Sequence, residues 1–275
     1  MTPLSNQKRA MMEHLKTLTV QIEHQIATIT LNRPNKKNAI SFQMMNELIK
    51  VAHKLKRNRE VRAVILMGAD GNFSSGLDLA DLNDPKNFGF ALYELAKPTP
   101  SKFQKVCLIW QSLPVPVIAV VQGVCVGGGL QLALGADIRI AAMDARLSVL
   151  EAKWGLVADM GITHTACDIH RDVMKQIAMT AEMMDAPIAK DYGLLTHISD
   201  DPVCMAISLI DAIKMRSPDA VLAGKRVINA TQRQNYLALY QEKLWQIKLM
   251  LGANRKLAIK KAKDSTVQFI QRQFG

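Results

Sequence analysis

The chain contains two glycine-bearing stretches that decide its fold: Phe-Ser-Ser-Gly-Leu-Asp-Leu at Phe73–Leu79 and Gly-Val-Cys-Val-Gly-Gly-Gly-Leu-Gln at Gly123–Gln131. Each follows an apolar run typical of a buried strand, Val61–Met67 or Pro116–Val121, and each leads towards a predicted helix. This arrangement can bring one backbone N–H group from each stretch to a single oxygen atom. Two convergent N–H donors form an oxyanion hole, which stabilises negative charge on a carbonyl oxygen.

Outward from these stretches, predicted strands and helices alternate along the chain. Leu18–Ile22 and Gln25–Leu31 predict a hairpin with a tight turn at Glu23–His24, and Ser41 is the predicted N-cap of a helix that ends at Arg57. The other predicted elements of this part are a short helix at Ala91–Ala96 in a proline-containing loop, helices at Phe103–Ser112 and Leu130–Gly135, and a strand at Ile138–Ala142. The alternation predicts an α/β fold with a parallel sheet flanked by helices.

The C-terminal part of the sequence has a different pattern, with successive amphipathic helices and no strand signal. The predicted helices are Cys204–Met215, Ala220–Thr231, Tyr236–Leu251 and Arg255–Gln271. We therefore expect an α/β core over residues 1–200 and a helical region over residues 201–275. A helical region of this length packs on its own core or on a neighbouring subunit.

Composition and charge narrow the classes of partner and compartment. The net charge of +11 suits anionic partners, such as nucleic acid, an acidic surface or a ligand with several phosphates. No apolar run approaches the roughly 18 residues of a membrane span, and Met1–Thr17 reads as a polar leader without the apolar core of a secretory signal. The widely spaced cysteines predict small buried side chains, no metal site and a reducing, cytoplasmic location: Cys107, Cys125, Cys167 and Cys204.

Several ordered motifs at consistent spacing resemble those of the crotonase superfamily, the enoyl-CoA hydratase/isomerase fold. The matching stretches are Leu31–Ala39, Phe73–Leu79, Gly123–Gly129, Ala133–Ile138, Leu147–Glu151, Gly155–Gly161, Ala189–Leu195 and Ser217–Pro218. The resemblance implies a spiral of ββα units followed by a C-terminal α-helical trimerisation region. It also implies an acyl-CoA thioester substrate, no separate cofactor because coenzyme A is part of the substrate, and a homotrimer or a hexamer built as a dimer of trimers.

The resemblance assigns the two oxyanion donors to the backbone N–H groups of Leu77 and Gly128. Gly128 lies at a predicted helix N-terminus, where N–H groups are free and the helix dipole favours negative charge. Alternatively, the three glycines could serve only close packing of a strand against a helix. The expected coenzyme A contacts, made largely through the backbone, lie at Lys36, Lys37, Ala39, Ser75, Asp78 and Leu79. The two lysines could also be solvated.

The expected proton-moving groups depart from the hydratase pattern of two glutamates. Glu151 matches the second glutamate, whereas Gln131 occupies the position of the first and has no titratable proton to act as a general base. Two interpretations follow. Glu151 could move the proton alone, as in Δ3,Δ2-enoyl-CoA isomerases, or Asp159 could supply a second carboxylate, as in the dienoyl-CoA isomerase branch. Structural roles also stay open: Glu151 as a solvated acid, Asp159 as a turn or capping residue, and Gln131 as a helix residue.

The leading functional hypothesis is an acyl-CoA enzyme that stabilises a thioester enolate, with hydration and isomerisation both open. RNA binding is an alternative, since Lys50, Lys54 and Arg57 form a basic stripe on one predicted helix. Such a stripe is usually the solvated face of a helix, so nucleic acid is not the expected partner. A third hypothesis is a coenzyme A thioester-binding protein with little catalysis. His164 and His170 match no family motif and are predicted to be surface or satisfied polar residues.

Overall fold

The computed structural model describes residues 11–230, 236–264 and 266–268. Two β-sheets organise these residues, and their strands are β1 (Met11–His14), β2 (Leu18–Glu23), β3 (Ile26–Leu31), β4 (Ala63–Gly68), β5 (Val117–Val121), β6 (Val124–Val126), β7 (Ile138–Ala141), β8 (Arg146–Ser148), β9 (Met184–Asp185) and β10 (His197–Ile198). The larger sheet has the order β1-β2-β3-β4-β5-β7-β10 and is parallel from β3 onward. The smaller sheet has the order β6-β8-β9.

Helices cover the sheets and form the C-terminal part of the chain. They are α1 (Phe42–Arg57), α2 (Leu79–Asn83), α3 (Pro85–Ala96), α4 (Lys102–Leu108), α5 (Gly128–Leu134), α6 (Ile162–Thr165), α7 (Arg171–Thr180), α8 (Ala186–Asp191), α9 (Pro202–Lys214), α10 (Pro218–Ala230), α11 (Tyr236–Leu251) and α12 (Ala253–Lys261). Short 3₁₀ helices occupy Pro34–Lys36 and Glu151–Trp154. The α/β class and the C-terminal helices are therefore confirmed.

The two sheets make a spiral because the chain crosses from the large sheet to the small one on successive turns. After β4, Ser74 forms a parallel bridge with Cys125 of β6 before the chain enters α2. After β5 the chain forms β6 and α5, and after β7 it forms β8, which pairs in parallel with β6. Each turn thus places one segment in each sheet and continues into a helix, as the ββα pattern implied.

The central strands are buried on both faces, which explains their nearly continuous apolar sequence. Every residue of β5 is buried. One face of the large sheet packs towards α1, α4 and α5. The other face presents Ile65, Ile118 and Ile140 to Ala206 and Ile210 of α9, so the first C-terminal helix completes the core of its own chain.

Most of the local predictions are confirmed to within a few residues. Ser41 is the N-cap of α1, and its Oγ accepts a hydrogen bond from Met44 N–H at 3.1 Å. The hairpin turn lies at His24 and Gln25, one residue later than predicted, because these two residues adopt the positive φ angles (49° and 68°) that tight turns require. Among the described residues, no helix is both long and apolar enough to cross a bilayer.

Three local predictions were wrong. The helix expected at Ala91–Ala96 begins at Pro85, because proline is compatible with the first helical position and Asp84 caps the N-terminus by accepting from Lys86 N–H at 2.9 Å. The helix expected over Arg255–Gln271 begins at Ala253 and ends at Lys261, so it does not continue through residues 262–264. The predicted polar leader contains strand β1, which pairs with β2.

The cysteine prediction was correct for two residues and wrong for the other two. Cys107 and Cys125 are buried free thiols, whereas Cys167 and Cys204 are exposed. Two predicted helix ends, Thr231 and Gln271, lie outside the described residues.

An ion pair between Asp137 and Lys225 fastens α10 to the core. The ammonium lies 2.7 Å from Asp137 Oδ2 and also donates to the carbonyl oxygens of Trp110 and Val115. Asp137 accepts a further hydrogen bond from Val117 N–H at 2.8 Å, and only 8% of the Lys225 side chain is exposed. Removing one partner would leave a buried charge without its counter-ion, which is more costly than losing an exposed pair.

We therefore expect Asp137→Ala to lower the free energy of unfolding by about 3 kcal/mol, because it strands the Lys225 ammonium. The matched control is Asp211→Ala, which removes the exposed partner of Lys214. That change should stay within about 0.5 kcal/mol. Urea unfolding followed by circular dichroism measures both. Equal losses in the two variants would contradict a special role for the buried pair.

Candidate functional site

The two glycine-bearing stretches meet at Ser74, which is fully buried. Its N–H donates to the carbonyl of Val124 at 2.9 Å, and its carbonyl accepts from Val126 N–H at 3.0 Å. The approach is so close that a Cβ atom at position 129 would lie 2.6 Å from the Ser74 carbonyl oxygen. Glycine is therefore required at this position to bring the two stretches together.

The backbone N–H of Leu77 points towards the start of α5. Ile40 N–H donates to the carbonyl of Gly76 at 2.7 Å, and Asp78 N–H donates to the carbonyl of Ile40 at 3.0 Å. Since successive peptide groups of an extended segment point in opposite directions, the Leu77 N–H faces away from Ile40. A Cβ atom at Gly128 would lie 3.4 Å from Leu77 N. Gly128 is the first residue of α5, where helix N–H groups lack intrahelical acceptors, so both N–H groups border one small space.

This space opens into a cavity of about 430 Å³ with a mainly apolar wall. The cavity is lined by eight of the eleven residues predicted for the site: Lys36, Ala39, Ser75, Leu77, Asp78, Leu79, Gly128 and Glu151. The sequence prediction missed Leu82, Leu150, Trp154 and Leu156, which supply most of the remaining apolar wall. Leucines carry no motif signal, and only the fold shows which of them face the cavity.

Lys37 is not among the residues that line the cavity, and its contribution is through the backbone. It has a left-handed conformation (φ 45°), and its carbonyl accepts from Ser75 N–H at 2.9 Å. The Ser75 hydroxyl donates to the carbonyl of Lys36 at 3.1 Å. These bonds hold the 36–39 segment beside the Phe73–Leu79 stretch. The exposed Lys37 side chain leaves the lysine–phosphate contact a prediction.

The Asp78 carboxylate is engaged within the protein. It accepts from Arg33 Nη2 at 2.8 Å and from Ala80 N–H at 3.0 Å, and the latter contact caps α2. Burial alone would raise the pKa of this carboxyl, but the hydrogen bonds from Arg33 and Ala80 N–H, together with the charges of Arg33 and Lys36, outweigh burial and lower it. Arg33 also donates to the carbonyl of Ala39 at 2.6 Å. Arg33 therefore ties together the two segments that border the cavity, a role that the sequence prediction missed.

Gln131 and Glu151 form a direct pair. Gln131 Nε2 donates to Glu151 Oε1 at 2.6 Å, and Gln131 Oε1 accepts from the backbone N–H of Met160 at 2.9 Å. Only 1% of Gln131 is exposed, and it does not line the cavity. The Met160 amide thus fixes which end of the glutamine side chain faces Glu151. Gln131 therefore contacts the Glu151 carboxylate, while a direct contact between Gln131 and a substrate stays a prediction.

The two carboxylate oxygens of Glu151 differ in their hydrogen bonding. Oε1 is held by Gln131, whereas Oε2 is buried and has no hydrogen-bond partner in the described structure. Burial raises the pKa of this carboxyl to about 7, although hydrogen bonds from its own backbone and from Gln131 act in the opposite direction. A carboxyl that titrates near neutral pH can both accept and return a proton under physiological conditions. Glu151 is therefore not a solvated loop acid.

The other candidate residues, Asp159, His164 and His170, differ in their exposure to solvent. Asp159 is 4% exposed, directly before Met160, and it does not line the cavity. His170 is exposed, as predicted. The prediction for His164 was wrong, because this residue is 7% exposed and its Nε2 atom is buried without a hydrogen-bond partner among the described residues.

Helix α12 supports the far wall of the cavity. A Cβ atom at Gly155 would lie 3.0 Å from Arg255 Cα, so the turn after Trp154 packs directly on α12. Arg255 Nη2 reaches Asn83 Oδ1 of α2 at 3.4 Å. The C-terminal region of this chain therefore contacts elements on both sides of its own cavity.

A model of the enoyl-CoA hydratase/isomerase family matches residues 21–262. The chain belongs to this family. A solved family member from Mycobacterium paratuberculosis, described as an enoyl-CoA hydratase/isomerase, is 27% identical with a TM-score of 0.79, and the match covers 90% of this chain and 99% of that one. The crotonase-type spiral implied by the sequence motifs is confirmed.

Two curated relatives illustrate the range of names in the family. The mouse mitochondrial Delta(3,5)-Delta(2,4)-dienoyl-CoA isomerase is 32% identical over 211 residues, which cover 72% of this chain and 63% of the mouse protein. The chain thus spans less than two thirds of that relative's length. Enoyl-CoA hydratase EchA19 of Mycobacterium tuberculosis is 32% identical over 211 residues, covering 74% of this chain and 77% of the relative.

The pKa of Glu151 in the Gln131–Glu151 pair can be tested without knowing which reaction the protein catalyses. In ¹³C NMR titration of glutamate-labelled protein, the Glu151 carboxyl should titrate near pH 7, because burial raises its pKa to about 7. Gln131→Met should raise the pKa further, since the lost hydrogen bond favours the carboxylate. Glu151→Gln assigns the signal, and the exposed Gln43→Met should leave the pKa unchanged. Titration near the ordinary glutamate value of 4.5 would contradict the proposed environment.

Proposed function

We propose that this protein is an enoyl-CoA isomerase in which Glu151 is the acid–base group. The observation that carries the proposal is the Gln131 amide, held between Met160 N–H and Glu151 Oε1. Gln131 cannot take up a proton. The other carboxylate of the cavity wall, Asp78, is held by Arg33 and Ala80 N–H, so Glu151 is the one lining carboxylate left for proton transfer where two-glutamate hydration would use two. Moving a double bond needs only one group that removes a proton and returns it.

The reaction begins with a 3-enoyl-CoA whose thioester oxygen lies between the Leu77 and Gly128 N–H groups. Glu151 Oε2 removes a proton from C2, and the electron pair of the C–H bond delocalises onto the thioester oxygen as a dienolate. The same carboxyl then donates the proton to C4. The electrons return from the oxygen, and the double bond forms between C2 and C3. The two N–H donors stabilise the negative charge where it develops.

The surroundings of the cavity fit a coenzyme A thioester. Lys36 stands at its rim and is available to phosphate groups, and the net charge of +11 favours a polyanionic ligand. The leucines of the wall suit the apolar part of an acyl chain. The predicted coenzyme A contacts at Ala39, Ser75, Asp78 and Leu79 line the same cavity.

Dienoyl-CoA isomerisation is the second candidate, with Asp159 as the second acid. Asp159 is buried directly beside Met160, and the mouse relative carries that activity in its name. In a 3,5-dienoyl-CoA the proton is removed at C2 and a proton is added at C6, farther away than C4. A second carboxyl can serve the distant carbon. Turnover of a 3,5-dienoyl-CoA that is lost in Asp159→Asn would support this candidate, whereas 3-enoyl-CoA turnover that survives Asp159→Asn supports Glu151 alone.

The other two hypotheses have less support. The relatives described above are named as a hydratase or an isomerase, and Lys50, Lys54 and Arg57 are exposed on α1, as on any solvated helix face. A protein that only bound coenzyme A thioesters would not need the raised pKa of Glu151 or a carboxylate oxygen without a hydrogen-bond partner.

We further propose a homotrimer or a dimer of trimers, as in similar proteins. Val227 and Ile228 on α10 are 65% and 66% exposed, which supports a covering partner for this helix. The free thiols support a cytoplasmic location. The mouse relative is named as mitochondrial, so a reducing organelle is the competing location.

Glu151→Gln should lower isomerisation of a 3-enoyl-CoA by about 10³-fold, because it removes the general base. In the parent protein, kcat/KM should fall as the pH drops below about 7, since protonated Glu151 cannot accept the C2 proton. Parallel assays of crotonyl-CoA hydration measure the competing reaction. Hydration that exceeds isomerisation, or a fully active Glu151→Gln variant, would refute the proposal.

Gly128→Ala should lower kcat by about 10²-fold, because its Cβ atom would lie 2.8 Å from Met160 Sδ and 3.4 Å from Leu77 N and would displace the oxyanion donors. Gly89→Ala is the matched control, since no described atom beyond its chain neighbours and its own helix backbone lies within 4 Å of the added Cβ. Steady-state kinetics and a melting curve of each variant separate loss of the site from loss of the fold. Similar kcat values for the two variants would remove Gly128 from the site.

A further inference from the structure

A second cavity, of about 660 Å³, lies between α1, α4, the segment after α3, and α6. It shares no lining residue with the cavity that contains Glu151. Its charged and titratable lining residues are His53, Lys56, Glu94, Lys97, Lys102, Lys105 and His164. Four lysines and one carboxylate give the wall an excess of positive charge.

Several of these charges already have partners within the protein. Lys97 pairs with Glu94 at 2.7 Å, and Glu94 also accepts from Lys102 N–H at 2.5 Å. The Lys102 ammonium lies over the Phe90 ring, 4.6 Å from its centroid. Lys56 and Lys105, on neighbouring helices, form no ion pair with any residue that the structure describes. These two ammonium groups are available to a ligand.

His164 adds an unsatisfied polar atom to the same wall. The residue is 7% exposed, and Nε2 has no hydrogen-bond partner within the described residues. Nδ1 lies 3.3 Å from the Thr163 hydroxyl. When that hydroxyl donates to Nδ1, Nε2 carries the hydrogen and becomes a buried donor without an acceptor. A buried donor in this state is destabilising until an acceptor reaches it.

We propose that this cavity binds a compact anion, the phosphate or carboxylate group of a small molecule. The ammonium groups of Lys56 and Lys105 supply the charge, and His164, in the tautomer that carries its hydrogen on Nε2, supplies a directed hydrogen bond. The donors come from three helices, α1, α4 and α6, and converge on one cavity. Among the described residues, the cavity wall contains no Phe, Tyr or Trp side chain, which favours a simple anionic group over a nucleobase.

The proposal is tested with inorganic phosphate and with succinate, which represent the two sources of such an anion. Each is titrated into the full-length protein saturated with coenzyme A, so that neither probe occupies the thioester cavity. Calorimetry measures affinity, and the imidazole proton signals report on His164, assigned with His164→Gln. If coenzyme A itself fails to bind, the titration is repeated without it. Because the two cavities share no lining residue, failure of the proposed function leaves this test intact.

We expect at least one probe to bind and to shift the His164 signal. Lys56→Gln/Lys105→Gln should weaken binding about tenfold. The matched control, Lys50→Gln/Lys54→Gln, removes the same charge from α1 outside the cavity and should change affinity less than about twofold. Absence of binding by both probes, an unshifted His164 signal, or equal weakening in the two double variants would overturn the proposal. All of the exchanged lysines are exposed, so both variants are expected to fold.

Discussion

The close approach of the Ser74 backbone to the start of α5 is the contact on which the rest of the site depends. Two hydrogen bonds join Ser74 to β6, and only a glycine at position 129 leaves room for its carbonyl. The Ser74 hydroxyl continues the connection by donating to the carbonyl of Asn38 at 2.9 Å and accepting from Gly76 N–H at 3.2 Å. One buried serine thus fixes the positions of the segment before α1, the segment before α2 and the N-terminus of α5.

The uncharged Gln131 side chain holds the Glu151 carboxylate by a hydrogen bond without adding a second negative charge. A second carboxylate so close to Glu151 would repel it or share a proton with it, and the pair would titrate as a unit. The amide avoids this repulsion, and its orientation is fixed by Met160. One oxygen of Glu151 is held and the other has no hydrogen-bond partner among the described residues, so proton transfer as proposed above would use a single atom.

Sequence patterns predicted the features that depend on local chemistry or on a recurring motif. The meeting of the two glycine-bearing stretches, the presence of Glu151 in the cavity wall and the capped start of α1 belong to this group. Strand β6 was missed because three residues within a glycine-rich run carry no periodic signal. The long-range contacts could not be predicted either: Arg33 meets Asp78 across 45 residues. The burial of His164 depends on how α6 packs, which no local pattern encodes.

The contact between α12 and Gly155 has a consequence for the order in which the protein becomes functional during synthesis. The two sheets are complete once β10 has formed, but the wall behind Trp154 gains its support only when Arg255 and Ala258 arrive. Domains can begin to fold while the chain is still being translated. The nascent chain can therefore hold a finished spiral whose cavity still lacks its backing. Closure of the cavity is left to the last helix that the structure describes.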